Sequence, residues 1–163
     1  MRDLPPGWAT DLAILQQTGS TIDDHGDHLI VRTPANPLFH WGNCVLVMNA
    51  GRLDDAAHWT AVFAAAHPGA DWISLGLPRL PDETQPWTTL GLTVEEEDVL
   101  SATALPRLLP APVGYEVRAL VSDDDWGRHV ARDLGGHEPG SHANFVRART
   151  ASQRDLVRRG VAA

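Results

Sequence analysis

The stretch from His28 to Trp59, HLIVRTPANPLFHWGNCVLVMNAGRLDDAAHW, constrains the chain more than any other. Leu29-Ile30-Val31, flanked by His28 and Arg32, predicts a strand that Thr33-Pro34 ends. Pro34 and Pro37 keep the next loop extended, since each lacks an amide donor and restricts the residue before it. A second strand is expected from about Gly42 to Met48. It is almost continuously apolar, which suits a central strand covered on both faces. Asp54 and Asp55 then open a helix in which Ala56, Trp59, Val62, Phe63 and Ala66 recur at spacings of three and four. Asp54 is the expected N-cap, and His67-Pro68-Gly69 closes the helix.

The flanking segments are read the same way. Asp11 to Gln17 fits helix and strand templates each in part and is left open, and Ser20 to Asp27 predicts a polar turn. Asp71 to Leu77 is an expected strand, Trp87 to Leu92 a short helix ending at Gly91, and Thr93 to Thr103 a further strand. Its acids, Glu95, Glu96, Glu97 and Asp98, suit a solvated edge strand, because consecutive residues point to opposite faces. The proline-rich stretch 106–113 reads as a linker. Tyr115 to Val121 predicts a strand. Ser122 is placed to cap a helix running to about Leu134, Gly135-Gly136 to end it, and Ser141 to Arg159 to form a last helix.

Composition narrows the function classes. A chain of 163 residues can hold one domain, or one domain and part of another. A net charge of −8 argues against non-specific nucleic-acid binding. The arginine-rich tail from Arg147 to Arg159 reads as a solvated helix face or a contact with an acidic neighbour. No apolar run approaches a membrane span, and MRDLPPGW lacks the apolar core of a signal peptide, so a cytoplasmic location is expected. Cys44 is the only cysteine and sits beside an apolar run, which makes it a small core residue. The cluster Asp23, Asp24, His25, Asp27, His28 matches no calcium-loop or paired-histidine spacing, so no metal site is expected.

Two segments carry a family resemblance. The order of elements over residues 28–92, ending in Trp87-x-x-Leu90-Gly91-Leu92, resembles the second half of the GCN5-related N-acetyltransferase (GNAT) fold. Residues 115–134, YEVRALVSDDDWGRHVARDL, resemble the start of a GNAT domain. GDHLIVRTP and FHWGNCVLV are similar to the degenerate first domain of tandem GNAT proteins. The resemblance implies an α/β (α+β) fold with a mixed, mostly antiparallel central sheet flanked by helices. It implies a GNAT-like domain over 1–105, the linker 106–113 and the start of a second such unit over 114–163. For the family it implies acetyl-CoA, and as partner a second GNAT domain or another copy of the chain.

The loop from Met48 to Asp55 stands where the resemblance puts the cofactor's pyrophosphate. Glycines and a helix N-terminus would there offer backbone amides to the phosphates, in a Gln/Arg-x-x-Gly-x-Gly/Ala pattern. MNAGRLDD instead has Gly51 and Arg52 in the wrong order, and two acids at the helix start. Arg159-Gly160-Val161-Ala162 superficially matches that pattern, but no predicted strand precedes it. We therefore expect no confident cofactor site and assign no catalytic residue. Arg32, Asn36, His40, Trp41 and Asn43 form an amphipathic group that can line a pocket or an interface. The expected role is a non-catalytic domain supporting a catalytic acetyltransferase domain or partner. A free-standing acyltransferase with an altered loop and a small-ligand binding module are the alternatives.

Overall fold

The computed structural model describes residues 4–99, 104, 110, 112–135 and 140–161. The protein is a mixed α+β chain with five α-helices and one four-stranded, mostly antiparallel open sheet among the described residues. It divides into two compact units, Met1–Glu97 and Asp98–Ala163.

The first unit holds the sheet. Helix α1 (Pro6–Gln17) leads into strands β1 (Thr21–Asp24), β2 (His28–Arg32) and β3 (Cys44–Val47), then helix α2 (Ala56–Ala66), strand β4 (Leu75–Gly76) and helix α3 (Gln85–Thr89). The strands lie in the order β1-β2-β3-β4. β1, β2 and β3 pair antiparallel, with Ile22 opposite Val31 and Ile30 opposite Val45; α2 then carries the chain over to a parallel β4.

Alternation along β2 and β3 sends side chains to two different cores. Leu29, Val31, Cys44 and Leu46 pack with Trp8, Leu12 and Leu15 of α1. Ile30 and Val45 pack with Phe63 of α2, while Val47 joins Trp59, Leu53 and Trp87. The continuous apolar run of β3 thus has a physical use, since every one of its residues is buried. A close approach fixes Gly76: a Cβ there would stand 2.6 Å from Leu46 Cδ2 and 3.1 Å from Trp8. Helix α3 ends as its glycine suggests, with Gly91 at φ 79° and the Gly91 and Leu92 amides donating back to the Thr88 and Trp87 carbonyls.

Several expectations need correction. Asp11–Gln17, which its sequence leaves open between helix and strand, is helical, within α1. Thr21–Asp24, expected as part of a turn, is an edge strand, because its backbone pairs with β2 even though only Ile22 turns partly inward. β4 keeps two residues of the longer strand expected over 71–77. Residues 93–99 form no strand and their acids are exposed; the remainder of that expected strand, 100–103, lies outside the described residues, as does most of the linker 106–113. α2 is capped by Asp55 rather than Asp54.

The second unit is a helical hairpin of α4 (Asp123–Leu134) and α5 (Ser141–Arg158). Trp126 on α4 and Ala143, Val146, Thr150 and Leu156 on α5 are its buried side chains, besides Asp125. Ser122 and Asp125 form a reciprocal capping box, and Gly135, at φ 55°, ends α4. Tyr115–Val121, expected as a strand, is extended but has no sheet partner among the described residues. Its residues have the β-propensity of a strand, but no neighbouring strand among the described residues completes the ladder.

Candidate functional site

The loop between β3 and α2 is closed by its own atoms. The Met48 and Asn49 amides both donate to the Asp27 carbonyl, at 2.8 and 3.1 Å. The Gly51 amide donates to Asn49 Oδ1 at 3.0 Å and the Arg52 amide to the Asn49 carbonyl at 3.2 Å. The Asp55 amide donates to the Arg52 carbonyl at 3.3 Å, and the Trp59 indole reaches that same carbonyl at 2.8 Å.

Acids finish the closure. Asp55 accepts from the His58 amide at 3.1 Å and from the Arg52 guanidinium at 2.8 Å. These two donors, Arg52 first, hold its carboxyl below the ordinary aspartate range, so it is ionised at neutral pH. Asp54 accepts from the Glu83 amide at 3.1 Å, tying the loop before α3 to the start of α2. Acids in a first helical turn favour the helix by about 0.3–1 kcal/mol each and repel an incoming anion for the same reason. The residues present therefore do not fit the pyrophosphate of acetyl-CoA. The Met48, Asn49, Gly51, Arg52 and Asp55 amides already have acceptors within the protein, and the Asp55 carboxylate caps the helix end that would face the phosphates.

A row of rings lies beside this loop. His25 stacks on His28 at 4.8 Å, and His28 and His58 meet the edges of Trp59 at 5.8 and 4.6 Å. His28 Nδ1 hydrogen-bonds Asp27 at 2.7 Å, which lowers the Asp27 pKa. Among the described residues no group of three or more histidine, cysteine or acidic side chains is placed to hold a metal ion.

The second candidate is the loop from Arg32 to Asn43, and the fold divides its five named residues among three environments. Asn43 and Asn36 are buried and organise the loop itself. Asn43 Oδ1 accepts from the Thr33 amide at 2.9 Å, while its amide nitrogen donates to the Asn36 and Phe39 carbonyls at 3.0 and 2.9 Å. Thr33 adds a bond of 2.7 Å to the Gly42 carbonyl. Gly42 has no space for a side chain, because its Cβ would stand 2.5 Å from Phe39.

Trp41 belongs to the α1 side of the sheet. Its indole donates to Asp11 at 3.1 Å and its ring lies 6.5 Å from Trp8. Arg32 and His40 belong to the α2 side. Arg32 pairs with Asp23 and reaches the Ala66 carbonyl at 3.4 Å. His40 stacks on Trp72 at 4.2 Å, and Trp72 in turn meets Phe63 at 5.3 Å and His67 at 6.4 Å.

Arg32 and His40 thus share one surface with Trp72 and His67, two residues that sequence reasoning did not single out. His67 Nε2 is buried and has no hydrogen-bond partner among the described residues. Burial lowers the His67 pKa and the Arg32 charge adds to that, while the Cys44 backbone opposes it. The one legible signal was Trp72 itself, an aromatic residue between Asp71 and Ile73 at the mouth of a strand. Cys44 is buried and donates to the Trp41 carbonyl at 3.0 Å; burial pushes its thiol up to about 12.

In the second unit, three of the tail arginines have acidic partners nearby. Arg154 pairs with Asp123, and Arg158 and Arg159 pair with Asp155. Comparisons of this chain with protein-family models, with curated proteins and with solved structures found no match.

Proposed function

We propose that the chain is related to the GNAT acetyltransferases and that its Met1–Glu97 unit is a non-catalytic domain. On this reading it supports a catalytic acetyl-CoA-dependent N-acetyltransferase domain or partner, and works in the cytoplasm. The order β2-β3-α2-β4-α3, with the buried Trp87 and the left-handed Gly91 closing the Trp-x-x-Leu-Gly-Leu element, is what the resemblance rests on.

The single observation that carries the reading is the closed β3–α2 loop. A pyrophosphate would have to displace the Asp27 carbonyl from two amides and the Asp55 carboxylate from a third, and would meet that carboxylate's charge. Such exchange is unfavourable, because an anion gains only amides that already have partners. Titrating acetyl-CoA into the whole chain by calorimetry tests this. The expected result is no saturable heat up to millimolar cofactor. Binding in the micromolar range would overturn it and favour a free-standing acyltransferase.

A further inference from the structure

Tyr115–Val121 has the pattern of a strand and no strand partner among the described residues. Tyr115, Val117, Ala119 and Val121 alternate with Glu116, Arg118 and Leu120, the period of two that belongs to a sheet. Yet Tyr115, Val117 and Val121 are 76%, 92% and 80% exposed. From Glu116 to Leu120 no backbone amide donates to another described residue.

The segment is nonetheless held at both ends. The Val121 amide, the Ser122 amide and the Ser122 hydroxyl donate to one Asp125 oxygen at 3.2, 3.0 and 2.8 Å, and Arg118 pairs with the other oxygen. At its start the Tyr115 amide donates to the Pro112 carbonyl at 3.0 Å, across a turn in which Gly114 has φ 87°. The Ala119 carbonyl accepts from the Arg118 side chain at 3.3 Å, but an anchored backbone whose Glu116–Leu120 amides have no acceptor among the described residues is still a template for another strand.

We infer that Tyr115–Ala119 pairs antiparallel with the same segment of a second copy of this chain, about a two-fold axis through Val117. Charge selects this partner and this register. Centred on Val117, the ladder sets Glu116 opposite Arg118 twice, Tyr115 opposite Ala119 twice, and Val117 opposite itself. Directly opposed side chains share a face, so the exposed apolar residues meet one another while each Glu116 faces an Arg118 that its own Asp125 already holds in place. The longer ladder centred on Arg118 would oppose Arg118 to Arg118 and leave each Glu116 against Leu120, so charge disfavours it. A two-fold pairing is closed and self-complementary, as a dimer of identical chains requires. The inference rests on this segment alone and is independent of the acetyltransferase reading.

The test uses single-cysteine reporters in the full chain, because Cys44 is buried and stays silent. Opposed residues of an antiparallel pair have Cα atoms about 4.5–5.5 Å apart, within disulfide reach. Val117→Cys is expected to give a reducible covalent dimer on mild oxidation. Ala119→Cys is expected to give none, since its own copy lies about 13–14 Å further along the ladder. Light scattering over a concentration series is expected to show a reversible dimer. Glu116→Arg, checked for an unchanged circular dichroism spectrum, should raise its dissociation constant about tenfold or more, as two opposed ion pairs become like-charged pairs. A chain that stays monomeric at every concentration overturns the inference. So does equal cross-linking of the two cysteine variants, or a dimer indifferent to Glu116→Arg.

Discussion

The sheet unit and the helical unit are stabilised in different ways. In the first, two cores lie on opposite faces of the same strands, and Trp59, Phe63, Leu46 and Val45 are among its fully buried side chains. Its polar groups serve the loops. In the second, Trp126, Ala143, Val146 and Leu156 are the buried apolar residues, and much of the order comes from Asp125, which gathers Ser122, Val121 and Arg118 around the start of α4. Both units place an aspartate at a helix start, Asp55 as the N-cap of α2 and Asp125 in the first turn of α4, where it completes the capping box of Ser122. At α2 the acid seals a loop over a filled core; at α4 it anchors the exposed segment before the helix. Acids at two helix starts therefore have different consequences, and the units should fail under different stresses.

The largest expected effect is in the sheet core. Trp59→Ala removes a fully buried ring and the indole bond to the Arg52 carbonyl, and should cost about 3–5 kcal/mol. Urea unfolding followed by alkylation of Cys44 reads this unit alone, since its buried thiol reacts only when the sheet opens. A loss well under that range would mean that the second core is less filled than it looks.

Asn43→Ala should cost about 2–3 kcal/mol, because it takes the acceptor from the buried Thr33 amide and removes a donor from the Asn36 and Phe39 carbonyls. Ser122→Ala should cost about 1 kcal/mol in the helical unit and leave Cys44 protection unchanged.

Acid should separate the units further. Burial lowers the His67 pKa, so the unfolded chain takes up a proton that the folded sheet unit resists. Its stability is then full above about pH 6.5, the ordinary histidine value, and falls as pH drops below it. Asp125 is held far below the ordinary aspartate range, by Arg118 first and then by Ser122. Its contribution is full above the unfolded value of about 3.9 and is lost as pH falls from there towards the folded value. Fluorescence-monitored acid titrations of His67→Gln and Asp125→Asn should each flatten their own window and leave the other. A common acid midpoint that neither variant moves would contradict this.

Much of the fold was legible because burial writes itself as periodicity. β2, β3 and α2 followed from apolar runs and three-four spacing, and α4 from its cap. β1 was hidden because an edge strand of Thr21, Ile22, Asp23 and Asp24 needs only backbone pairing, which side chains do not announce. Residues 93–99 and 115–121 differ in the other direction, since strand propensity was present with no neighbour among the described residues to complete the ladder. In the candidate site the acids of the β3–α2 loop were readable. The Asp27 carbonyl that occupies its amides was not, because a contact between distant backbone atoms leaves no mark on residue type. Trp41 and His40 are adjacent in sequence, yet their partners lie on opposite sides of the sheet, as the alternation of a strand entrance allows.

The closed loop is the centre of the account, and calorimetric titration of the whole chain with acetyl-CoA addresses it most directly. No saturable heat up to millimolar cofactor is expected while Asp27, Asn49 and Asp55 occupy the loop's amides. One-to-one binding in the micromolar range would contradict it, and would mean that this loop opens to phosphate at little cost.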